Sequence, residues 1–179
     1  MRIGINARNL LAKKLEGFGQ YTLEITKRIC EQNPQHEFIL FFDRPYDPQF
    51  IFSDNVKPVV ISPQTRHPIL YLIWFEWRLK NALKREKIDV FWSPDGFSCL
   101  SSSVPHIVTV HDLNFEHNPK DLPWVVSHYF RFFFPKFARK AKKIITVSEY
   151  SKKDICTTYG IKKEKVEVIY NAANTAFRE

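Results

Sequence analysis

Ile107-Val-Thr-Val-His111-Asp112-Leu113, Ile144-Ile-Thr-Val-Ser148-Glu149-Tyr-Ser151 and Val166-Glu-Val-Ile-Tyr170-Asn171 are three β-branched runs, each ending in a polar signature. Buried parallel strands read in this way, because a strand covered on both faces has no polar alternation. In open α/β sheets ligands bind where the carboxyl ends of strands meet loops. His111-Asp112 is therefore the first place to look for chemistry.

Working outward, Arg2-Ile-Gly-Ile-Asn6 reads as a first buried strand, and the loop after it carries Gly17-Phe-Gly19 directly before a helix. In that helix Tyr21, Leu23, Ile25 and Ile29 form the apolar stripe, with Lys27 and Arg28 opposite. Glu37 to Phe42 is a second strand, closed by the turn signal Asp43-Arg-Pro45. Val56 to Ile61 is a third, in which Pro58 requires a place near the strand's start or at a sheet edge. Ile69 to Glu86 is the clearest helix, with Leu72, Phe75, Leu79, Ala82 and Leu83 on one face. Ile88 to Trp92 follows, stopped by Ser93-Pro94-Asp95-Gly96, and then Val104 to Val110. The aromatic segment Trp124 to Ala141 is helical, with a kink or division expected near Pro135. A helix from Ser148 to Tyr159-Gly160 separates Ile144 to Val147 from Val166 to Ile169.

Strands and helices thus alternate as β-α-β-β-α-β-β-α-β-α-β. The pattern predicts a Rossmann-like, doubly wound α/β fold: a mostly parallel sheet with helices on both faces. Residues 1–170 read as one such domain. Residues 171–179 lose all periodicity and read as the start of a connection to a further domain.

The composition suits that reading. With 179 residues, 44% hydrophobic composition, 16 Phe and 4 Trp, the chain can fill one substantial core. Cys30, Cys99 and Cys156 are scattered and contain no C-x-x-C pair, which points to buried inert thiols instead of disulfides or a cysteine zinc site. No apolar run reaches the ~18–20 residues of a spanning helix, and no secretory signature opens the chain, so a cytoplasmic protein is expected. The net charge of +8 favours an anionic partner, such as a phosphate-bearing substrate, acidic lipid or nucleic acid, without choosing among them. His106, His111 and His117, at spacings of five and six, do not form a metal-ligand pattern.

Five segments in order carry a family resemblance: Gly17-Phe-Gly-Gln-Tyr21-Thr22, Asp89-Val-Phe-Trp-Ser93-Pro94, Val108-Thr-Val-His111-Asp112-Leu113, Thr146-Val-Ser148-Glu149-Tyr-Ser151-Lys-Lys-Asp154-Ile155, and Lys165-Val-Glu-Val-Ile169-Tyr-Asn171. Together they resemble the N-terminal half of retaining glycosyltransferases of the GT-B fold, family 4. The resemblance implies two Rossmann-like domains facing a cleft, the first recognising the acceptor and the second holding most of a nucleotide-sugar donor, UDP- or GDP-linked, with no metal required. This chain resembles the first domain alone, with the C-terminal donor-binding domain absent and the fragment inactive by itself. The implied acceptor is a glycan or lipid-linked molecule, as in cell-surface polysaccharide synthesis. Glu16 and Glu24 share the family's Glu-x7-Glu spacing but straddle the first glycine loop, so the match reads as coincidence. Ala172 stands where the family commonly has glycine.

The same resemblance puts His111 close to the donor sugar's reacting end and makes it the catalytic candidate. Asp112 is placed in acceptor binding or orientation, because such enzymes often lack an obvious protein nucleophile. From the residues themselves, His111 and Asp112 also fit a simpler role in capping the following loop. Gly17 and Gly19 bring unhindered N–H groups to a helix N-terminus, suited to a phosphate or merely to a tight turn. Asp95 with Gly96 is a second rim candidate or a turn. Ser148 and Glu149 read as an N-cap and first-turn acid, which does not exclude contact with substrate.

Lys136, Arg139, Lys140, Lys142 and Lys143 follow a row of aromatics from Trp124 to Phe137. Such a stretch suits peripheral contact with anionic lipid at the inner face of the membrane, or a helix that buries its aromatics and solvates its lysines. A stand-alone module binding phosphate-bearing ligands or nucleic acid is the competing function. No nucleic-acid motif supports its second form.

Overall fold

A computed structural model describes residues 1–11, 15 and 17–171. Seven strands form one sheet in which every pairing is parallel: β1 (Arg2–Asn6), β2 (Glu37–Phe42), β3 (Val56–Val60), β4 (Val90–Ser93), β5 (His106–Thr109), β6 (Lys143–Thr146) and β7 (Val166–Val168). Their order is β3-β2-β1-β4-β5-β6-β7. The chain reverses its direction of travel across the sheet between β1 and β4, the switch point of a doubly wound fold.

β2 shows why its strand is apolar throughout. Phe38, Leu40 and Phe42 enter one buried cluster while Ile39 and Phe41 enter the opposite one, as the two-residue period of a strand dictates. Each fully buried Phe contributes about 1.5–3 kcal/mol relative to exposure. Pro58 lies opposite Leu40 on β3, an edge strand, where its missing N–H leaves no ladder bond unmade on the outer side.

The helices are α1 (Gly17–Gln32), α2 (Pro68–Leu72), α3 (Lys80–Arg85), α4 (Asn114–His117), α5 (Trp124–Lys140) and α6 (Glu149–Tyr159). Two expectations change. Gly17 and Gly19 belong to the first turn of α1, not to a loop before it. The buried face of α1 is Gly19, Thr22, Thr26 and Cys30, with Tyr21, Leu23, Ile25 and Ile29 half-buried beside it. Small side chains let this helix lie close to its support, and Thr22 satisfies its hydroxyl on the Phe18 carbonyl at 2.7 Å. α5 continues through Pro135 without the division that was one of the two outcomes expected there. Burial of Tyr129, Phe134, Phe137 and Ala138 on both sides of the proline outweighs the single hydrogen bond it forfeits.

Between α2 and α3 the helix widens into a π-helical segment, Ile73–Leu79. The expected face holds at Phe75, Leu79, Ala82 and Leu83, all buried, while Leu72 is half-buried and Trp74 joins the core, donating to the Ile61 carbonyl at 2.7 Å. Glu76 accepts hydrogen bonds from the Leu100 and Ser101 amides at 2.7 and 2.9 Å, fixing the loop between β4 and β5.

Candidate functional site

The carboxyl ends of β1 and β4 meet through Asp95. One of its oxygens accepts from Asn6 and Ser93, both at 2.8 Å, and from the Phe97 amide at 3.4 Å. The other accepts from Arg8 at 2.6 Å and Asn9 at 3.2 Å. The Arg8 and Asp95 side chains are each 7% exposed. Burying a charged pair is tolerated only when its remaining donors and acceptors are used, and here they are. Arg8 also donates to Thr65 at 2.9 Å, and its guanidinium carbon lies 4.6 and 4.9 Å from the ring centres of Phe97 and Phe75. Gly96 turns the chain with φ +82°, and a Cβ there would sit 2.8 Å from Phe134.

The network runs on to the end of β2. Thr65 donates through its amide and hydroxyl to Asp43 at 2.8 and 2.6 Å, and Arg44 grips the same carboxylate at 2.6 and 3.0 Å. Burial pushes the Asp43 carboxyl up, but the hydrogen bonds from Arg44 and Thr65 outweigh it and hold the group below the usual carboxylate range.

His111 stands just beyond β5. Its Nε2 lies 2.9 Å from the Pro94 carbonyl. A carbonyl can only accept, so the neutral ring carries its proton on Nε2 and keeps a lone pair on Nδ1. Phe18 and Tyr21 of α1 meet the imidazole edge-on at centroid distances of 4.8 and 4.7 Å. Burial lowers the imidazole pKa, against the opposing pull of the Pro94 carbonyl and the Asp95 and Asp112 charges. The ring is thereby kept neutral, able to accept one hydrogen bond and donate another.

Arg8, Arg44, Tyr71, Asp95, His111 and Asp112 share a cleft of about 290 Å³, with Phe115, Phe130 and Phe134 as its apolar wall. Phe18 of the glycine segment also lines it. Asp112 is exposed and accepts from the Asn114 amide at 2.9 Å, opening α4. Gly17 is exposed with open space where a Cβ would go, whereas a Cβ on Gly19 would lie 2.7 Å from the Asn9 carbonyl oxygen. Ser148 caps α6 by accepting from the Ser151 amide at 3.0 Å, and Glu149 is exposed in its first turn. Neither Ser148 nor Glu149 lines the cleft.

The family model of Glycosyltransferase Family 4 matches residues 15–177. The chain belongs to this family. Over 67 residues, 37% of this chain and 18% of the other, it is 36% identical to the O-antigen chain mannosyltransferase RfbU of Salmonella typhimurium. Its fold resembles that of Anabaena HepE, solved with UDP and glucose, with a TM-score of 0.59 and 14% identity over 97% of this chain and 45% of that one. It also resembles the UDP-GlcNAc 2-epimerase of Methanocaldococcus jannaschii, with a TM-score of 0.55 and 17% identity over 94% of this chain and 45% of the epimerase. The chain therefore spans less than half the length of these relatives. Its sheet is the Rossmann-like half of a GT-B fold.

In this family 4 chain the residues that sequence reasoning missed are Asn6, Arg8, Asp43, Arg44 and Thr65. Asn6 and Asp43 end or directly follow strands, so the strand-end rule applied to β5 also reaches them. Nothing local marks Arg8 or Thr65, whose contact spans 57 positions. Aromatics described as core do more than fill volume, since Phe75 and Phe97 flank the Arg8 guanidinium.

Proposed function

We propose that this domain forms the acceptor side of a retaining glycosyltransferase. In this reading, the enzyme moves a sugar from a UDP- or GDP-linked donor to a glycan or lipid-linked acceptor in cell-surface polysaccharide synthesis. The observation that carries the reading is the switch-point cleft, where a neutral His111 and the carboxylate of Asp112 face an aromatic wall beside the Arg8–Asp95 brace. Membership of the family supports it, as does the partial likeness to a mannosyltransferase of O-antigen chains.

The donor is held chiefly by a second domain, with no metal required. An acceptor hydroxyl attacks the anomeric carbon from the face that the diphosphate leaves. As the new C–O bond forms and the bond to diphosphate breaks, the hydroxyl proton passes to the departing phosphate oxygen. His111 orients a sugar hydroxyl through Nδ1, and Asp112 accepts from the acceptor. Arg8 and Asp95 hold the wall without touching substrate, and Phe18 packs edge-on against His111.

In this reading the enzyme works in the cytoplasm, at the inner face of the membrane. Among the described residues no helix is long and apolar enough to cross a membrane. The exposed Trp124, Val125 and Phe132 of α5 give a face for peripheral contact.

The test is sugar transfer by the 179-residue chain alone and when joined to a donor-binding domain. Transfer only in the joined protein is expected. Multiple-turnover transfer by the isolated chain would refute the division of labour.

A further inference from the structure

At the end of the sheet opposite the cleft, where β5 and β6 begin and α5 ends, an open groove of about 700 Å³ is walled by Arg139, Lys140, Lys142, Lys143, Lys162 and Lys165. Glu164 is the one acidic residue in that wall. Among the described residues, none of the six cations is in an ion pair. Main-chain carbonyls fix three of them instead. Lys165 donates to the Arg139 carbonyl at 2.7 Å, Lys143 to that of Glu164 at 3.0 Å, and Arg139 to that of Tyr159 at 3.3 Å. A carbonyl orients a cation without cancelling its charge, so the groove holds preorganised positive charge.

His106 forms part of the same wall. It is 1% exposed, its Nδ1 lies 2.7 Å from the Ser98 hydroxyl, and its Nε2 is buried without a partner among the described residues. Buried in this way, the imidazole backs the groove wall and leaves contact with a bound anion to the cations.

We propose that this groove binds a multiply charged phosphate anion, at a site separate from the sugar-transfer cleft. Several lysine point charges and one arginine fork suit phosphate oxygens, and the space exceeds what a single phosphate fills. The wall contains no Phe, Tyr or Trp, and its one aromatic ring, that of His106, is too buried for a base to stack on, so phosphate and not a nucleobase is what it recognises. Two sources share this chemistry: a soluble polyphosphate and the headgroups of anionic lipid. The inference does not rest on the sugar-transfer reading.

The probes are tripolyphosphate, followed by titration calorimetry, and vesicles of phosphatidylglycerol in phosphatidylcholine, followed by sedimentation. The variant Lys142→Glu/Lys162→Glu changes two exposed side chains of the groove. Lys120→Glu/Lys153→Glu makes the same charge change at exposed positions outside it. Loss of two charge-assisted contacts should weaken binding of at least one probe about tenfold or more in the groove variant, and little in the control. Thermal melts compare the folding of both variants with that of the parent chain. Tripolyphosphate binding that the groove variant weakens points to a soluble ligand; vesicle binding alone that the groove variant weakens points to headgroups. Absence of saturable binding to either probe, or a groove variant that weakens binding no more than the control does, overturns the proposal.

Discussion

Arg8 and Asp95 close on one another at 2.6 Å across the switch point, tying the carboxyl end of β1 to that of β4 where the sheet reverses. The pair is buried, and the Asp95 carboxylate also accepts from Asn6, Asn9, Ser93 and the Phe97 amide. Removing one partner strands the other's charge in an apolar wall. Arg8→Ala or Asp95→Ala should therefore cost about 3–5 kcal/mol in urea unfolding. A loss below about 1 kcal/mol, the range of an exposed pair, would show that the brace contributes little.

The two glycines of α1 should separate cleanly. Gly19→Ala forces a Cβ against the Asn9 carbonyl oxygen and is expected to destabilise by about 1–3 kcal/mol. Gly17→Ala meets open space and gains helix propensity, so stability should hold or rise by up to ~1 kcal/mol. Thermal denaturation of the two variants compares them directly, and equal losses would remove the close-approach account.

Burial, reinforced by the nearby charge of Lys140, pushes the His106 imidazole down to about 4. An unfolded histidine titrates near ~6.5, so the unfolded chain takes up its proton first as pH falls. Stability present above pH ~6.5 should thus decline towards pH 4 by about 3 kcal/mol from this residue and level off below. His106→Gln, which can keep a partner for Ser98, should flatten that part of the pH profile. An unchanged slope between the two proteins would assign acid sensitivity elsewhere.

If the proposed two-domain enzyme uses His111 to orient a sugar hydroxyl, His111→Ala is expected to lower kcat by roughly 10²-fold, the scale of losing one oriented polar contact in the transition state. His111→Asn, which retains a donor and an acceptor, should recover part of that loss. A change confined to KM would mean that the imidazole binds substrate without favouring the transition state.

Trp124 and Phe132 are 73% and 58% exposed on α5, and Lys136 places its ammonium 3.2 Å from the Phe132 ring centre. Trp124→Ala/Phe132→Ala should leave unfolding within ~0.5 kcal/mol of the parent, as surface changes do. The same change should sharply reduce sedimentation with anionic vesicles. Undiminished vesicle binding would remove this face from any membrane contact.

Most of the sheet was legible because its inner strands are covered on both faces, and covered parallel strands announce themselves as apolar runs; the edge strands β3 and β7, with Lys57 and Glu167 exposed, give a weaker signal. The order of the helices came with it. α1 misled because periodicity weighs residues by hydrophobicity, whereas a helix pressed close to its neighbours selects for size and buries Thr22, Thr26 and Gly19. Around the cleft, His111, Asp95 and Asp112 were marked by strand ends. Arg8, Thr65 and Arg44 were not, because a buried polar network exists only once distant segments have met. The caps at Ser148 and Gly160 lay within reach of sequence because capping is settled inside a single turn.

The π-helical segment Ile73–Leu79 has a consequence for how this wall tolerates insertions and deletions. Its widened turn works as a vernier between two ends of one rod: Trp74 keeps step with Ile61 and Arg8, while Glu76 keeps step with the loop at Leu100 and Ser101. A chain one residue shorter there would have to choose which of the two stays in register.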